Sequence, residues 1–133
     1  MSSLKSICII DDDKIYTFGI SKIIKNHLPG NHIMSFENGR KALESIKNKV
    51  QNGESIPDLI LLDIDMPEMN GWDFLNEFES VRNKISKEIQ IFVISSRINK
   101  RNQELYKVEW DNKVSDFIQK PVEIETLKTL LSK

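Results

Sequence analysis

Four apolar segments of this 133-residue chain each end in polar side chains that could take part in chemistry. The first segment ends in an acidic pair, Asp11 and Asp12, and the second in the carboxylate of Asp63. The third ends in the hydroxyl of Ser95, and the fourth in the ammonium of Lys120. Carboxylates gathered at one place repel one another, and they stay ionised together only if a cation or a proton relieves the repulsion. Oxygen ligands without His or Cys suit a hard cation, so this set predicts a Mg²⁺ site, with Mn²⁺ as an alternative.

A hard cation beside a carboxylate, a lysine and a hydroxyl meets the needs of phosphoryl transfer. Charge on the phosphoryl oxygens is neutralised there, and a nucleophile is held in line. Asp63 is the predicted nucleophile, because the apolar run from Leu59 to Leu62 is typical of a central strand buried on both faces. Pro67 prevents that strand from continuing, and Asn70-Gly71 provides a turn. The product of attack by Asp63 would be an acyl phosphate.

Five strands and five helices are predicted to position these residues. The alternation of strand and helix with short loops predicts βαβ crossovers, and hence a parallel sheet with helices on both faces. The carboxyl ends of parallel strands share one edge, so all four polar segments are expected to meet in one crevice. The predicted strands are 4–10, 32–36, 59–62, 88–95 and 114–119, and the predicted helices are 14–27, 39 to about 50, 72 onward, 99 to about 109 and 124 onward.

The fourth predicted helix carries two apolar stripes. We expect Leu105 and Val108 to face the core. Tyr106 and Trp110 are four residues apart and share another face, for which core packing and contact with a partner are both open interpretations.

Composition limits the classes of protein to which the chain could belong. With 39% hydrophobic residues, residues 1–133 are expected to form one compact domain without an output domain. Nineteen Lys and Arg against twenty Asp and Glu give a net charge of −1, so no basic footprint for nucleic acid or an anionic membrane is present. No signal peptide or membrane-length apolar stretch is found, so a cytoplasmic location is expected. The single cysteine, Cys8, lies in an apolar run and is predicted to be a buried structural thiol.

Four motifs lie at the ends of predicted strands: Ile10-Asp11-Asp12-Asp13, Leu61-Leu62-Asp63-Ile64-Asp65-Met66-Pro67 with Asn70-Gly71, Val93-Ile94-Ser95-Ser96, and Phe117-Ile118-Gln119-Lys120-Pro121. Together they resemble the motifs of receiver domains of two-component response regulators, in particular the stand-alone chemotaxis type. Each motif is weak alone, but all four occur in order and at the expected spacing over essentially the whole chain. The resemblance implies a doubly wound, flavodoxin-like (βα)5 fold with strand order 2-1-3-4-5.

The resemblance implies a phosphoacceptor site. Asp63 would accept a phosphoryl group from a histidine kinase or a histidine phosphotransfer protein. Mg²⁺ would be held by Asp12, Asp63 and the backbone carbonyl of Asp65, while Asp11 would orient the water ligands of the metal. Apart from its own phosphorylation and dephosphorylation, such a domain is not an enzyme.

The resemblance also implies a switch. Lys120 would pair with the phosphoryl oxygens, Ser95 would move in to hydrogen-bond them, and Phe117 matches the switch aromatic of the family. A cis peptide bond before Pro121 is implied as well. The signal would pass to an unknown downstream protein through the surface of the fourth helix, fifth strand and fifth helix, and a phosphorylation-dependent homodimer stays open.

Two residues depart from the pattern of many relatives. Asp65 carries a charge where many receiver domains have a neutral residue, and Arg97 stands two residues beyond Ser95. Both positions flank the phosphoryl group in the family. Their opposite charges on adjacent loops lead us to expect that they pair across the mouth of the site and shield the acyl phosphate. Two solvated charges that rarely meet are the alternative, because exposed ion pairs are worth only about 0–1 kcal/mol.

Two other functions remain open from the sequence. Asp63-Ile64-Asp65 also matches the DxD motif of Mg²⁺-dependent phosphatases of the haloacid dehalogenase type. Against this, the acidic pair lies upstream of the motif, Pro67 replaces the usual Thr or Val, and no cap domain fits in 133 residues. The other alternative is a phosphorylation-independent interaction module, but such modules usually lose one of the acids or the lysine, and here all are retained.

Overall fold

The computed structural model describes residues 5–110 and 112–132, in which five strands alternate with five helices. The strands form one parallel sheet in the order β2-β1-β3-β4-β5, so the predicted fold class and strand order are confirmed. Strands β1 to β5 span Ser6–Ile10, His32–Phe36, Leu59–Leu62, Gln90–Ser95 and Asp116–Gln119, and helices α1 to α5 span Lys14–His27, Gly39–Gln51, Gly71–Arg82, Lys100–Glu109 and Ile124–Leu131.

Small differences separate the predicted and observed boundaries. Three strands begin later than predicted, β1 at Ser6, β4 at Gln90 and β5 at Asp116, because the ladder with the neighbouring strand begins there. Helix α3 begins at Gly71, one residue earlier than predicted, since the Asn70 side chain caps it by accepting a backbone N–H bond. The predicted first residue of β1, Leu4, lies outside the described residues.

The sheet separates two hydrophobic cores. Alternate residues of β1 point to opposite faces, so that Cys8 and Ile10 pack with α2 and α3 while Ile7 and Ile9 pack with α1 and α5. All four residues of β3 are at most 3% exposed, as expected for a strand covered on both faces. The burial of Cys8 as a free thiol is confirmed.

Helix α4 is oriented differently from the prediction. Leu105 and Val108 are 69% and 79% exposed, so the prediction that they face the core is wrong. Tyr106 and Trp110 pack against the core instead, and Trp110 stacks on Trp72 of α3 with ring centroids 5.3 Å apart. Two aromatic rings bury more apolar area than a leucine and a valine, and they gain stacking contacts with α3.

Two local features stand out at the ends of elements. Asp13 caps α1 by accepting a hydrogen bond from the backbone N–H of Tyr16 at 3.0 Å. The peptide bond between Lys120 and Pro121 is cis, as the resemblance implies. No helix in residues 5–110 and 112–132 combines the length and apolar character needed to cross a membrane.

Candidate functional site

The carboxyl-terminal edge of the sheet gathers the acidic residues. Backbone bonds prolong the ladder by one residue past each strand: Asp11 donates to the Phe36 carbonyl at 3.0 Å, and Asp63 donates to the Ile10 carbonyl at 2.9 Å. Carboxylate oxygens of Asp11, Asp12 and Asp63 lie within 4.8 Å of one another. Asp11 and Asp63 are 6% and 7% exposed, whereas Asp12 is exposed. The sheet therefore fixes two buried acids and leaves the third open to solvent.

Lys120 reaches the same cluster from the end of β5. Its backbone N–H donates to the Ser95 carbonyl at 3.0 Å, and its Nζ donates to Asp11 Oδ2 at 2.8 Å. The other oxygen of Asp11, Oδ1, accepts from the Asp13 backbone N–H at 2.9 Å. Because both oxygens of Asp11 are engaged, its carboxylate has a defined orientation. The ammonium also lies over an aromatic face, 4.1 Å from the ring centroid of Tyr16.

The two predicted switch residues are both buried. Ser95 ends β4 without exposed surface, and its Oγ accepts a hydrogen bond from the Arg97 backbone N–H at 3.1 Å. Phe117 is 1% exposed, and its ring centroid lies 5.7 Å from Tyr106 and 6.3 Å from Trp72. The turn after β4 thus holds the Ser95 hydroxyl, and the neighbouring aromatic rings hold the Phe117 ring in the core.

Asp65 and Arg97 meet at the rim of the site. Arg97 Nε lies 3.1 Å from Asp65 Oδ2, so the expected contact between the two loops is present. The side chains are 46% and 68% exposed, and an ion pair so exposed contributes at most about 1 kcal/mol to stability. The proposed shielding of an acyl phosphate stays a prediction.

The electrostatics of the cluster favour a bound cation. Burial and, after it, the negative charge of Asp11 raise the pKa of the Asp63 carboxyl to about 6. Lys120 and the backbone N–H of Ile64 lower the pKa, but they do not offset the two larger effects. The positive groups of the protein therefore do not fully offset the cost of ionising Asp63 in this buried, acidic setting.

The residues present fit Mg²⁺. All the candidate ligands are oxygen atoms, which is the donor set of a hard cation, and three carboxylates are close enough to share one ion. A cation would also relieve the repulsion that raises the Asp63 pKa. Asp12 offers an exposed oxygen for this purpose, and Asp63 offers a buried one.

Comparison with known proteins decides the family. A sequence profile of the response regulator receiver domain matches residues 7–132. The chain belongs to the response regulator receiver domain family. It is thus a receiver domain of two-component signalling, a class of domain that carries a phosphoacceptor, binds Mg²⁺ at an acidic pocket and interacts with histidine kinases and downstream effectors.

Relatives of this receiver domain include parts of much longer signalling proteins. It is 32% identical over 127 residues to the sensor histidine kinase CheAY of Helicobacter pylori, covering 96% of this chain and 14% of that protein. It is 34% identical over 117 residues to a protein-glutamate methylesterase/protein-glutamine glutaminase of Treponema pallidum, covering 87% of this chain and 26% of that protein. The receiver domain therefore spans about a quarter or less of the length of these two curated relatives.

Solved structures share the fold. The crystal structure of a two component response regulator from Cytophaga hutchinsonii superimposes with a TM-score of 0.77 at 27% identity, covering 96% of this chain and 93% of that one. A CheY-like receiver domain protein from Methanospirillum hungatei gives a TM-score of 0.72 at 22% identity, covering 98% and 95%. The flavodoxin-like receiver fold is therefore confirmed.

One neighbour of the site is not part of the predicted set of residues. The ring of Tyr16 contacts the ammonium of Lys120. The position of Tyr16 in the sequence is a signal of this, because it lies in the first turn of α1, four residues after Asp12. A side chain there starts at the same edge of the sheet as the acids.

Proposed function

We propose that this receiver domain accepts a phosphoryl group on Asp63 from a phosphohistidine of a histidine kinase or a histidine phosphotransfer protein. The observation that carries the proposal is the setting of Asp63, a buried carboxylate at the end of the central strand with two further carboxylates within 4.8 Å. A lysine ammonium bound to one of these acids completes the group. Such a donor would meet the domain in the cytoplasm.

In the proposed step, a carboxylate oxygen of Asp63 attacks the phosphorus atom of the donor. The P–N bond breaks, and its electron pair stays on the ring nitrogen. A proton on the other ring nitrogen lets the donor leave as neutral imidazole, and an acyl phosphate forms on Asp63. Because Asp63 has a pKa of about 6, its nucleophilic, ionised form predominates at neutral pH even before a cation binds.

The other residues of the site have proposed roles in charge neutralisation. Mg²⁺, when bound, would neutralise charge on the phosphoryl oxygens. Asp12, Asp63 and the backbone carbonyl of Asp65 would hold the ion, and Asp11 would orient its water ligands. Lys120 uses one N–H on Asp11, so it has further donors for the phosphoryl oxygens.

The readout is proposed to pass through Ser95 and Phe117 to a partner protein. Ser95 Oγ would turn towards the phosphoryl oxygens, and Phe117 would change its packing under α4. The partner would bind the surface of α4, β5 and α5. Support for this surface comes from Leu105 and Val108, which expose apolar side chains on the outer side of α4.

Intact-protein mass spectrometry after incubation with Mg²⁺ and acetyl phosphate tests the proposal. We expect a gain of one phosphoryl group in the unmodified chain and no gain in Asp63→Asn. Asp73→Asn is the matched control, because it removes an exposed acid in the first turn of α3 and should be phosphorylated normally. Release of inorganic phosphate is followed in parallel.

The remaining outcomes favour the two alternatives. Continuous phosphate release with little adduct would favour a phosphatase that uses Asp63-Ile64-Asp65. Neither adduct nor turnover, with acetyl phosphate or with a phosphorylated histidine kinase as donor, would favour a phosphorylation-independent interaction module.

A further inference from the structure

The ring of Tyr16 forms a second anchor for Lys120. The ammonium lies 4.1 Å from the ring centroid, and the lysine side chain is only 16% exposed. The ring itself is half-buried and packs against the core between the sheet, α1 and α5. A cation at this distance from an aromatic face is attracted to the electrons of the ring, and the attraction grows as water is excluded. Lys120 is thus held by Asp11 on one side and by Tyr16 on another.

The hydroxyl group of Tyr16 does not explain this arrangement. Its oxygen is buried and makes no hydrogen bond of normal geometry with a described residue, although the backbone N–H of Val122 is close enough to lower its pKa. Burial raises the pKa of this phenol to about 12, so it is neutral at physiological pH and makes no ion pair. A phenylalanine would fill the same space without leaving a buried oxygen unsatisfied. The ring face is therefore the part of Tyr16 that acts on Lys120.

An uncharged anchor has a specific advantage at this site. Asp11 offsets part of the positive charge of the ammonium that it binds, and a second carboxylate would offset more of that charge. The ring restrains the long, flexible lysine side chain while leaving its positive charge in place. Incoming phosphoryl oxygens need that charge.

We propose that Tyr16 is a positioning residue for phosphoryl transfer to Asp63, because its ring face holds the Lys120 ammonium beside the acidic cluster without neutralising it. This inference rests on the proposed function and adds a residue to it. Tyr16 does not touch the phosphoryl group and acts only through Lys120.

The kinetic test compares phosphorylation by acetyl phosphate in the presence of Mg²⁺. Tyr16→Phe keeps the ring and should react within about twofold of the unmodified rate. Tyr16→Leu keeps an apolar side chain but removes the ring face, and we expect a rate about tenfold lower. In a Lys120→Met background, Tyr16→Leu should cause no further loss, because no ammonium remains to be positioned.

A spectroscopic test needs no phosphorylation. Protons on the lysine carbon next to Nζ lie in the ring current of Tyr16, so their NMR signals should be shifted upfield. We expect that shift in the unmodified chain and in Tyr16→Phe, and its loss in Tyr16→Leu. A ring whose face does not lie over the Lys120 side chain in solution would produce no such shift.

Three results would overturn the inference: a normal rate in Tyr16→Leu, an equal loss in the Lys120→Met background, or no upfield shift in the unmodified chain. Tyr16→Met replaces the leucine variant if thermal unfolding shows that the latter folds poorly. Failure of the unmodified chain to take up a phosphoryl group would instead overturn the function of Asp63, and the role of Tyr16 with it. The two failures are therefore distinguishable.

Discussion

The carboxyl group of Asp63 holds its proton more tightly in this fold than in an unfolded chain. Its pKa is raised from 3.8 to about 6 by burial and by the charge of Asp11. A group whose pKa is raised on folding stabilises the native state below its unfolded pKa, and that contribution is lost as the pH rises through the folded value. Ionised Asp63 at neutral pH therefore lowers stability, as is common for residues that serve chemistry.

Removing this charge should stabilise the metal-free protein. Near neutral pH and in the presence of EDTA, we expect Asp63→Asn to raise the free energy of unfolding by about 2 to 3 kcal/mol. The gain should shrink as the pH falls through about 6 and vanish below 3.8, where Asp63 is neutral in both states. Urea denaturation over this pH range measures it, with Asp73→Asn as control. Equal stability of Asp63→Asn and the unmodified chain at neutral pH would contradict the prediction.

Arg97 is predicted to slow loss of the phosphoryl group. It pairs with Asp65 at the rim of the site, and breaking that contact should open the acyl phosphate to water. We expect Arg97→Ala to hydrolyse about two- to fivefold faster, since an exposed pair is worth up to about 1 kcal/mol. Phosphate release from phosphorylated protein measures the rate. Arg101→Ala, which changes another exposed arginine nearby, should leave it unchanged. An unchanged rate in Arg97→Ala would refute the shielding role.

At the scale of elements, the start of α3 lies directly against the strand that carries the phosphoacceptor. The Gly71 backbone N–H donates to the Ile64 carbonyl at 2.9 Å. A Cβ at Gly71 would lie 2.6 Å from the Asp63 carbonyl oxygen and 2.9 Å from the Ile64 Cα. Both are backbone atoms that cannot rotate away. Glycine is therefore needed where α3 meets the end of β3.

Two alanine substitutions distinguish the effect of this close approach on stability from the general destabilisation that glycine causes in a helix. Gly71→Ala should destabilise the fold by about 1 to 3 kcal/mol, because Asp63 and Ile64 must shift. Gly19→Ala in α1 has nothing within 4 Å of the new methyl group, and it should stabilise by about 0.5 to 1 kcal/mol. Chemical denaturation gives both values. A stabilising Gly71→Ala would show that the contact relaxes without cost.

Strands β1, β3 and β4 were predictable from the sequence because each is a short apolar run with a polar end. Burial on both faces leaves no room for polar alternation, and the apolar run ends where Asp11 or Asp63 begins. Helix α4 was not predictable in its orientation. Its own residues offer two apolar stripes, and the choice between them depends on Trp72, which stacks on Trp110 from α3.

The candidate site was also predictable only in part, because some of its contacts depend on residues far apart in the sequence. Strand ends and parallel pairing were enough to predict that Asp11, Asp12, Asp63 and Lys120 meet at one edge. The bond from Lys120 to Asp11 could not be predicted, and neither could the contact between the Lys120 ammonium and the face of the Tyr16 ring. Both depend on side-chain distances that arise only when the chain has folded and brought Lys120 beside Asp11 and Tyr16.

For the whole molecule, the acidic cluster couples cation binding to folding. The three carboxylates come together only in the native state, so an ion that binds them stabilises that state. Mg²⁺ at about one hundred times its dissociation constant should raise the free energy of unfolding by about 2.7 kcal/mol. Urea denaturation with and without Mg²⁺ measures the change. Asp12→Asn should reduce it, and NaCl of equal ionic strength should not reproduce it. An NaCl effect as large as that of Mg²⁺ would point to general screening.

The burial of β3 has a consequence for how the molecule opens. Every residue of this strand is covered on both faces, whereas no residue of α4 is buried. Backbone amides of β3 are therefore expected to exchange with solvent only when the whole domain unfolds, while those of α4 exchange through local fluctuations. Asp63 directly follows a strand that we expect to open only when the whole domain unfolds. We expect the helix proposed to report its state to open locally and close again while the sheet that holds Asp63 stays folded.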